Sequence, residues 1–257
     1  MGKVYVNTRN LAIGYLHGDT LAEDISLELH SGQTVSLVGG NGIGKSTLLR
    51  TLSGSLKPLK GEIEVMARPI DRIPKRKLAT MMSIVDTGTG MAGGLTVRQL
   101  VELGRQPYTG LLGILSTQDK NICREAMEAT GILFKADKHM ASLSDGEKQK
   151  AMIARALAQD TPVIYLDEPF SFLDPSARIE IMDMLSRIAR EREKAILLTC
   201  HDVALSLRMA DRLWLFTRDG RVLDMPPHEA ISSGMLDNLY PSDKVRFSSE
   251  IGDFIID

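Results

Sequence analysis

An α/β fold organised around a largely parallel sheet is the class this 257-residue sequence predicts, and three observations carry it. The buried-strand pattern of "QTVSLVGG" runs straight into the helical spacing of "KSTLLRTLSG". The alternation returns late in the chain, where the almost wholly apolar "PVIYLDEP" precedes a helix predicted over roughly 176–193 and then the strand "AILLTC". Between the two halves, from about 88 to 160, "TVRQLVELGR", "STQDKNICREAMEATGI" and "DGEKQKAMIARALAQD" all carry helical periodicity and read as an inserted helical unit.

Taken in order, the first 38 residues are strand-rich. "DISLELHSG" alternates apolar Ile25, Leu27 and Leu29 with Ser26 and Glu28 and closes in a turn signal. In "KSTLLRTLSG", Leu48, Leu49 and Leu52 share a helical face and Gly54 is a stop. "GEIEVMARPI" predicts a strand with a proline-bearing exit. "RLWLFTRDGRVLDM" predicts a hairpin turning at Asp219-Gly220. "PHEAISSGMLDNLY" predicts a short terminal helix, and the residues after Pro241 carry no readable pattern. There is no internal repeat and no low-complexity tract.

Hydrophobic residues make up 43% and charged residues 25%, ordinary globular usage. The formal net charge of -2 argues against a dedicated nucleic-acid binder. No apolar run approaches the ~18 residues of a membrane span. "MGKVYVNTRN" lacks the apolar stretch of a signal peptide, and Val6 sits where myristoylation after Gly2 wants Ser or Thr. Cys123 and Cys200 show no pairing pattern and fit a reduced, cytosolic setting.

"GGNGIGKST" is the most informative stretch. Gly39 to Ser46 fits G-x-x-x-x-G-K-[ST], the phosphate-binding P-loop, with a buried strand before it and a helix after it. Backbone N–H groups must converge on phosphate oxygens, so side chains are excluded at Gly39, Gly42 and Gly44. The following helix adds its N-terminal partial positive charge. Lys45 then reaches the β- and γ-phosphates, and Ser46 ligates Mg²⁺. A ligand-free glycine turn would explain the loop alone. A dinucleotide-binding fingerprint fails on spacing, since Gly40, Gly42 and Gly44 lead into Lys45 instead of x-x-Gly. Asp167, at the end of an apolar strand, suits a second Mg²⁺ contact through water, and Glu168 could polarise the attacking water. "LSDGEKQ" at 143–149 reads first as a capping box, Ser144 with Glu147. The same capped helix start, with Gly146, could also present N–H groups to phosphate.

The order of these motifs resembles the ATPase subunit of ABC transporters over about residues 11 to 240. "GGNGIGKST" is similar to the Walker A loop and "VIYLDEP" to Walker B. "LSDGE" is similar to the signature LSGGQ, with Asp145 and Glu147 as departures. "SFLD" at 171–174 is similar to the D-loop, and "TCHD" at 199–202 to the switch region. The resemblance implies a P-loop NTPase (RecA-like) core with an N-terminal antiparallel β-subdomain and an inserted helical subdomain. Residues 1–257 then form one ABC ATPase domain. Its core spans about 1–86 and 157–240, its helical subdomain about 87–156, and its C-terminal tail 241–257. ATP and Mg²⁺ are the implied ligands. Nucleotide contacts fall on Gly39, Gly40, Asn41, Gly42, Ile43, Gly44, Lys45, Ser46 and Thr47, with Tyr15 stacking on adenine and Ser46 and Asp167 at the metal.

The implied assembly pairs two copies head to tail, each ATP lying between one Walker A and the other copy's signature residues Ser144, Asp145, Gly146 and Glu147. His201 would hold the γ-phosphate and link it to Glu168, and Asp174 would couple the two sites. A metal reading of Cys200–His201 fails, because adjacent strand residues point to opposite faces. One departure stands out: counting back from "LTV", Thr87 occupies the position of the family's Q-loop glutamine, and its hydroxyl, or a water it holds, is expected to replace that contact.

"ELGRQPYTGLLGILSTQDK" at 102–120 resembles the Gly-Arg-x-Pro stretch of iron-complex importers, the type II systems for ferric siderophore, haem or cobalamin. The expected partners are integral membrane permease subunits and, indirectly, a substrate-binding protein, with no nucleic acid. The expected location is cytoplasmic, peripheral on the inner face of the plasma membrane. An iron–sulfur assembly partner, an exporter subunit and a nucleotide-binding chain without hydrolysis stay open as alternatives. The cargo is chosen by other chains.

Overall fold

The fold is seen in a computed structural model describing residues 2–15, 18–86, 94–110, 113–239 and 245–256. The long strand β1 (Val4–Gly14) is crossed by two short partners, β2 (Thr20–Ile25) and β3 (Glu28–His30). Ile25, Leu27 and Leu29 are buried as their alternation predicts, yet their stretch is two strands. Leu11 pairs with Ile25 and Val6 with Leu29, with register shifts in both ladders. Thr8 fills the break, its hydroxyl accepting the Leu27 amide at 2.9 Å and donating to the Ile25 carbonyl at 3.1 Å.

Next come β4 (Thr34–Gly39), buried at all six positions, and helix α1 (Lys45–Leu52), ended by Gly54 at φ +72°. "GEIEVMARPI" is a hairpin where one strand was expected: β5 (Lys60–Val65) turns through Met66 and Ala67, at φ +50° and +58°, into β6 (Arg68–Pro69). A two-residue loop with both residues left-handed matches the right-handed twist of the strands it joins, and here the pairing imposes it without Gly or Asn. β5 also pairs with β1, so β2, β1, β5 and β6 form an antiparallel sheet with β3 beside β1.

The short helix α2 (Lys75–Leu78) precedes β7 (Met82–Val85). The helical stretch follows as α3 (Val97–Glu102), α4 (Thr117–Ala129) and α5 (Asp145–Ala158). Each opens on a reciprocal capping box: Thr96 with Gln99, Ser116 with Asp119, and Ser144 with Glu147. The "GRQPY" segment is knitted to the end of α5. Buried Arg105 donates to Asp119 and to the Ala158 carbonyl, both at 2.8 Å, and lies 4.0 Å over the Tyr108 ring. Arg76 on α2 bonds the carbonyls of Pro107 and Thr109.

Gly104 lets the chain pass against α5, since a Cβ there would lie 2.3 Å from the Arg155 carbonyl oxygen. Gly104→Ala is therefore expected to cost about 1–3 kcal/mol through overpacking, read as a lowered midpoint in denaturant unfolding. An unchanged midpoint would show that the contact has slack.

β8 (Val163–Leu166), α6 (Pro175–Glu191), β9 (Ala195–Cys200), α7 (Val203–Met209), β10 (Arg212–Phe216) and β11 (Val222–Met225) complete the central sheet. Its order is β11-β10-β4-β9-β8-β7, parallel except for the β10–β11 hairpin. One face, with Val163, Tyr165, Leu197 and Trp214, packs on α1 and the antiparallel sheet. The other, with Ile164, Leu166, Ile196 and Leu198, packs on α6, α7 and the helical stretch.

The predicted terminal helix is broken by Gly234 at φ +69° into α8 (Pro227–Ser232) and a 3-10 turn, Met235–Leu239. The patternless tail holds a hairpin, β12 (Val245–Ser248) with β13 (Asp253–Ile256), clasped by the Phe247 and Phe254 rings edge to face at 5.4 Å. Among the described residues no helix is long and apolar enough to cross a membrane.

Candidate functional site

The glycine loop leaves the C-terminal end of β4. Asp167 and Glu168 leave the same end of β8, and His201 the same end of β9. Because β9 lies between β4 and β8, residues 39–47, 167–168 and 201 meet at one edge of the sheet. Such carboxyl edges are where open α/β sheets bind ligands. The resulting open cleft, about 520 Å³, is lined by Tyr15, Asn41, Gly42, Gly44, Lys45, Ser46, Thr47, Glu168 and His201.

The loop is shaped for close approach. A Cβ on Gly39 would lie 2.8 Å from the Phe216 carbonyl oxygen, and Gly44, at φ +121°, turns the chain into α1. Among the described residues no side chain caps α1, in contrast to α3, α4 and α5. Its first amides and the positive end of its dipole thus face the cleft, which favours an anion. Lys45 is 5% exposed, and its ammonium donates to the carbonyls of Gly39 at 2.9 Å and Gly40 at 2.8 Å. Burial pushes its pKa down, opposed by the charges of Glu168 and Asp167. The Tyr15 ring, half exposed at the mouth, brings its hydroxyl 3.3 Å from the Thr47 hydroxyl.

Opposite the loop, Ser46 Oγ donates to Asp167 Oδ1 at 3.0 Å, and Thr199 Oγ1 donates to the same oxygen at 2.9 Å. Glu168 sits at φ +50°, a left-handed conformation costing of order 1–3 kcal/mol in a residue with a side chain. Its carboxylate has two partners: Oε1 lies 2.8 Å from His201 Nε2, and Oε2 accepts from Ser171 Oγ at 3.3 Å. The hydrogen bond from His201 is the main reason its pKa falls below the usual carboxylate range. Lys45 Nζ is 3.5 Å from His201 Nδ1. An ammonium only donates, so Nδ1 accepts and Nε2 carries the proton given to Glu168.

A second cleft is separate from the first. It is lined by Ser144, Asp145, Gly146 and Glu147 at the start of α5, with Phe172, Leu173 and Asp174. Asp145 pairs with Lys148 at 2.9 Å and Glu147 with Lys135 at 3.3 Å. Asp174 caps α6 through the amides of Ser176 and Ala177. The structure thus gathers the loop, Tyr15, Asp167, Glu168 and His201 into one site and leaves 144–147 and 174 in another. Thr87 lies outside the described residues. Sequence reasoning passed over Ser171 and Thr199. Both open stretches already quoted, "SFLD" and "TCHD", and Thr199 is also a polar residue inside the otherwise apolar "AILLTC".

A buried strand, a glycine loop, an uncapped helix with Lys45 and Ser46 at its start, and a strand-end carboxylate bonded to that serine together define a P-loop ATPase. The chain belongs to the ABC transporter family, whose model matches residues 22–171. A probable siderophore transport system ATP-binding protein of Bacillus subtilis is 36% identical over 93% of this chain and 87% of its own length. The ferric enterobactin transport ATP-binding protein of Escherichia coli is 33% identical over 86% and 82%. Among solved structures, cbiO1 of Clostridium perfringens, part of the ABC transporter complex cbiONQ, superposes with a TM-score of 0.81 at 29% identity, covering 91% of this chain and 93% of that one.

Proposed function

We propose that this chain is the ATP-hydrolysing subunit of an ABC importer, energising uptake of an iron complex (ferric siderophore or haem) or cobalamin through a membrane permease. The carrying observation is the meeting of Lys45, Ser46–Asp167 and His201–Glu168 in one cleft. The import class is supported by the siderophore and ferric enterobactin relatives.

In this reading the amides of Gly39–Thr47 and the Lys45 ammonium bind the phosphates, and Tyr15 stacks on the adenine. Glu168 orients and polarises the attacking water. His201 keeps that carboxylate aimed and links it to the γ-phosphate. Catalysis is then mainly positioning and charge stabilisation.

Mg²⁺ fits the donor set. The Ser46 hydroxyl and Asp167 carboxylate are hard oxygens 3.0 Å apart, and Mg²⁺ takes one or two such groups together with nucleotide phosphates. Ser46 would hold it directly and Asp167 through water. When bound, it neutralises charge on the transferring phosphoryl group.

Two copies pair head to tail, so that Ser144, Asp145, Gly146 and Glu147 of one meet the triphosphate held by the other, with Asp174 coupling the sites. The core spans about 1–86 and 157–240, and the helical subdomain 87–156 carries the 102–120 stretch towards the permease. The chain works as a peripheral protein on the inner face of the plasma membrane, and a substrate-binding protein delivers the cargo. Affinity purification of the tagged chain from detergent extracts of its own cells is expected to bring down a polytopic membrane protein. Recovery of a soluble scaffold complex instead would shift the reading to iron–sulfur assembly.

A further inference from the structure

We infer that Thr199 is a positioning residue for hydrolysis, its one hydroxyl setting the geometry of both Asp167 and Glu168. Thr199 is fully buried in β9, and the β8–β9 ladder pairs Leu166 with Leu198 immediately before it. Beyond that pair the Thr199 side chain receives the next amide: Glu168 N–H donates to Thr199 Oγ1 at 2.7 Å. The hydroxyl proton goes to Asp167 Oδ1 at 2.9 Å. On the other side, the Asp167 amide is held by the Val85 carbonyl of β7 at 2.9 Å. The two amides of the Asp167–Glu168 unit are therefore anchored to neighbouring strands on opposite sides.

This matters because Glu168 stands in a left-handed conformation that its own side chain disfavours. The hydrogen bond from its backbone N–H to Thr199 holds that conformation, and the conformation delivers the carboxylate to His201, two residues further along the chain that carries Thr199. Thr199 touches no nucleotide itself; it acts through the two carboxylates. Valine would fill the same space but supply neither donor nor acceptor, leaving the Glu168 amide unpaired. The inference rests on the functional reading of Asp167 and Glu168 given above.

The test uses the full chain, or its complex with the permease, and compares Thr199→Val with Thr199→Ser. Thr199→Val is expected to lower kcat for ATP roughly 10- to 100-fold, the usual effect of removing a partner that orients a ligating carboxylate. The KM for ATP should stay near wild type. Mn²⁺ bound with ATP, followed by EPR as a readout independent of turnover, should bind more weakly. Thr199→Ser should restore both values. Should Thr199→Val fail to fold, Thr199→Cys, whose thiol is a weak donor, carries the test with a kcat loss of about tenfold.

Wild-type kcat in the folded valine variant, or in the cysteine variant where it stands in, overturns the inference. So does a serine variant as impaired as valine, which would assign the effect to shape. Unchanged Mn²⁺ binding beside a lowered kcat overturns the part of the claim that concerns Asp167. Failure of the underlying reading looks different: Glu168→Gln would then hydrolyse ATP at the wild-type rate.

Discussion

Glu168→Gln is expected to abolish steady-state ATP hydrolysis, lowering kcat by at least about 10²-fold, the scale set by loss of a positioned general base, while leaving ATP binding intact. Gln has nearly the same shape and can keep both neighbours, His201 Nε2 at 2.8 Å and Ser171 Oγ at 3.3 Å. What it loses is the negative charge. That charge is secure in the folded protein, because the His201 hydrogen bond holds the Glu168 pKa below the usual carboxylate range. The sign follows directly. A lowered pKa keeps the carboxylate ionised from neutral pH down through the usual carboxylate range, so protonation of Glu168 should limit the rate only in stronger acid. The variant should accumulate as an ATP-bound dimer, visible as a doubled mass in size-exclusion chromatography with light scattering. Rapid hydrolysis with no ATP-stabilised dimer would remove Glu168 from its role.

Lys45→Ala has the other large effect, and it strikes binding as well as turnover. The ammonium sits at the loop mouth, bonded to the Gly39 and Gly40 carbonyls and beside His201. Hydrogen bonds to charged groups are worth about 1.5–3 kcal/mol, so losing the phosphate contact should weaken ATP binding on the order of 10- to 100-fold. Turnover should stop, since in the proposed function the same cation binds the phosphate that is transferred. Titration with a fluorescent ATP analogue separates the two variants: Glu168→Gln binds and does not turn over, whereas Lys45→Ala does neither well. Wild-type affinity in Lys45→Ala would contradict the placement of phosphate on this loop.

Much of this site is written locally. Gly39 to Thr47 is contiguous, and the bonds of Lys45 to the Gly39 and Gly40 carbonyls close within six residues, whereas the Ser46 and Thr47 hydroxyls reach Asp167 and Tyr15 far along the chain. The capping box of Ser144 with Glu147 is equally local, closed across three residues. Apolar runs such as "TVSLV" and "VIYL" announce strands buried on both faces whatever lies beside them. The family resemblance is built from these same short stretches, which is why it could assign Asp167, Glu168 and His201 without a fold.

Strand neighbours are a different matter. No local rule puts β9 between β4 and β8, yet that order brings Thr199 and His201 to carboxylates more than 30 residues earlier in the chain. Nor does "VMARPI" announce its turn: Met66 and Ala67 have no intrinsic preference for positive φ, and the pairing of Val65 with Arg68 forces it. The tail hairpin likewise depends on Phe247 meeting Phe254. Short-range hydrogen bonds and burial patterns can be read from a linear chain because both partners lie in the same window. Sheet order, and the side-chain contacts that cross it, come from long-range packing, and only the folded molecule shows a buried threonine bonded at once to the Asp167 carboxylate and the Glu168 amide.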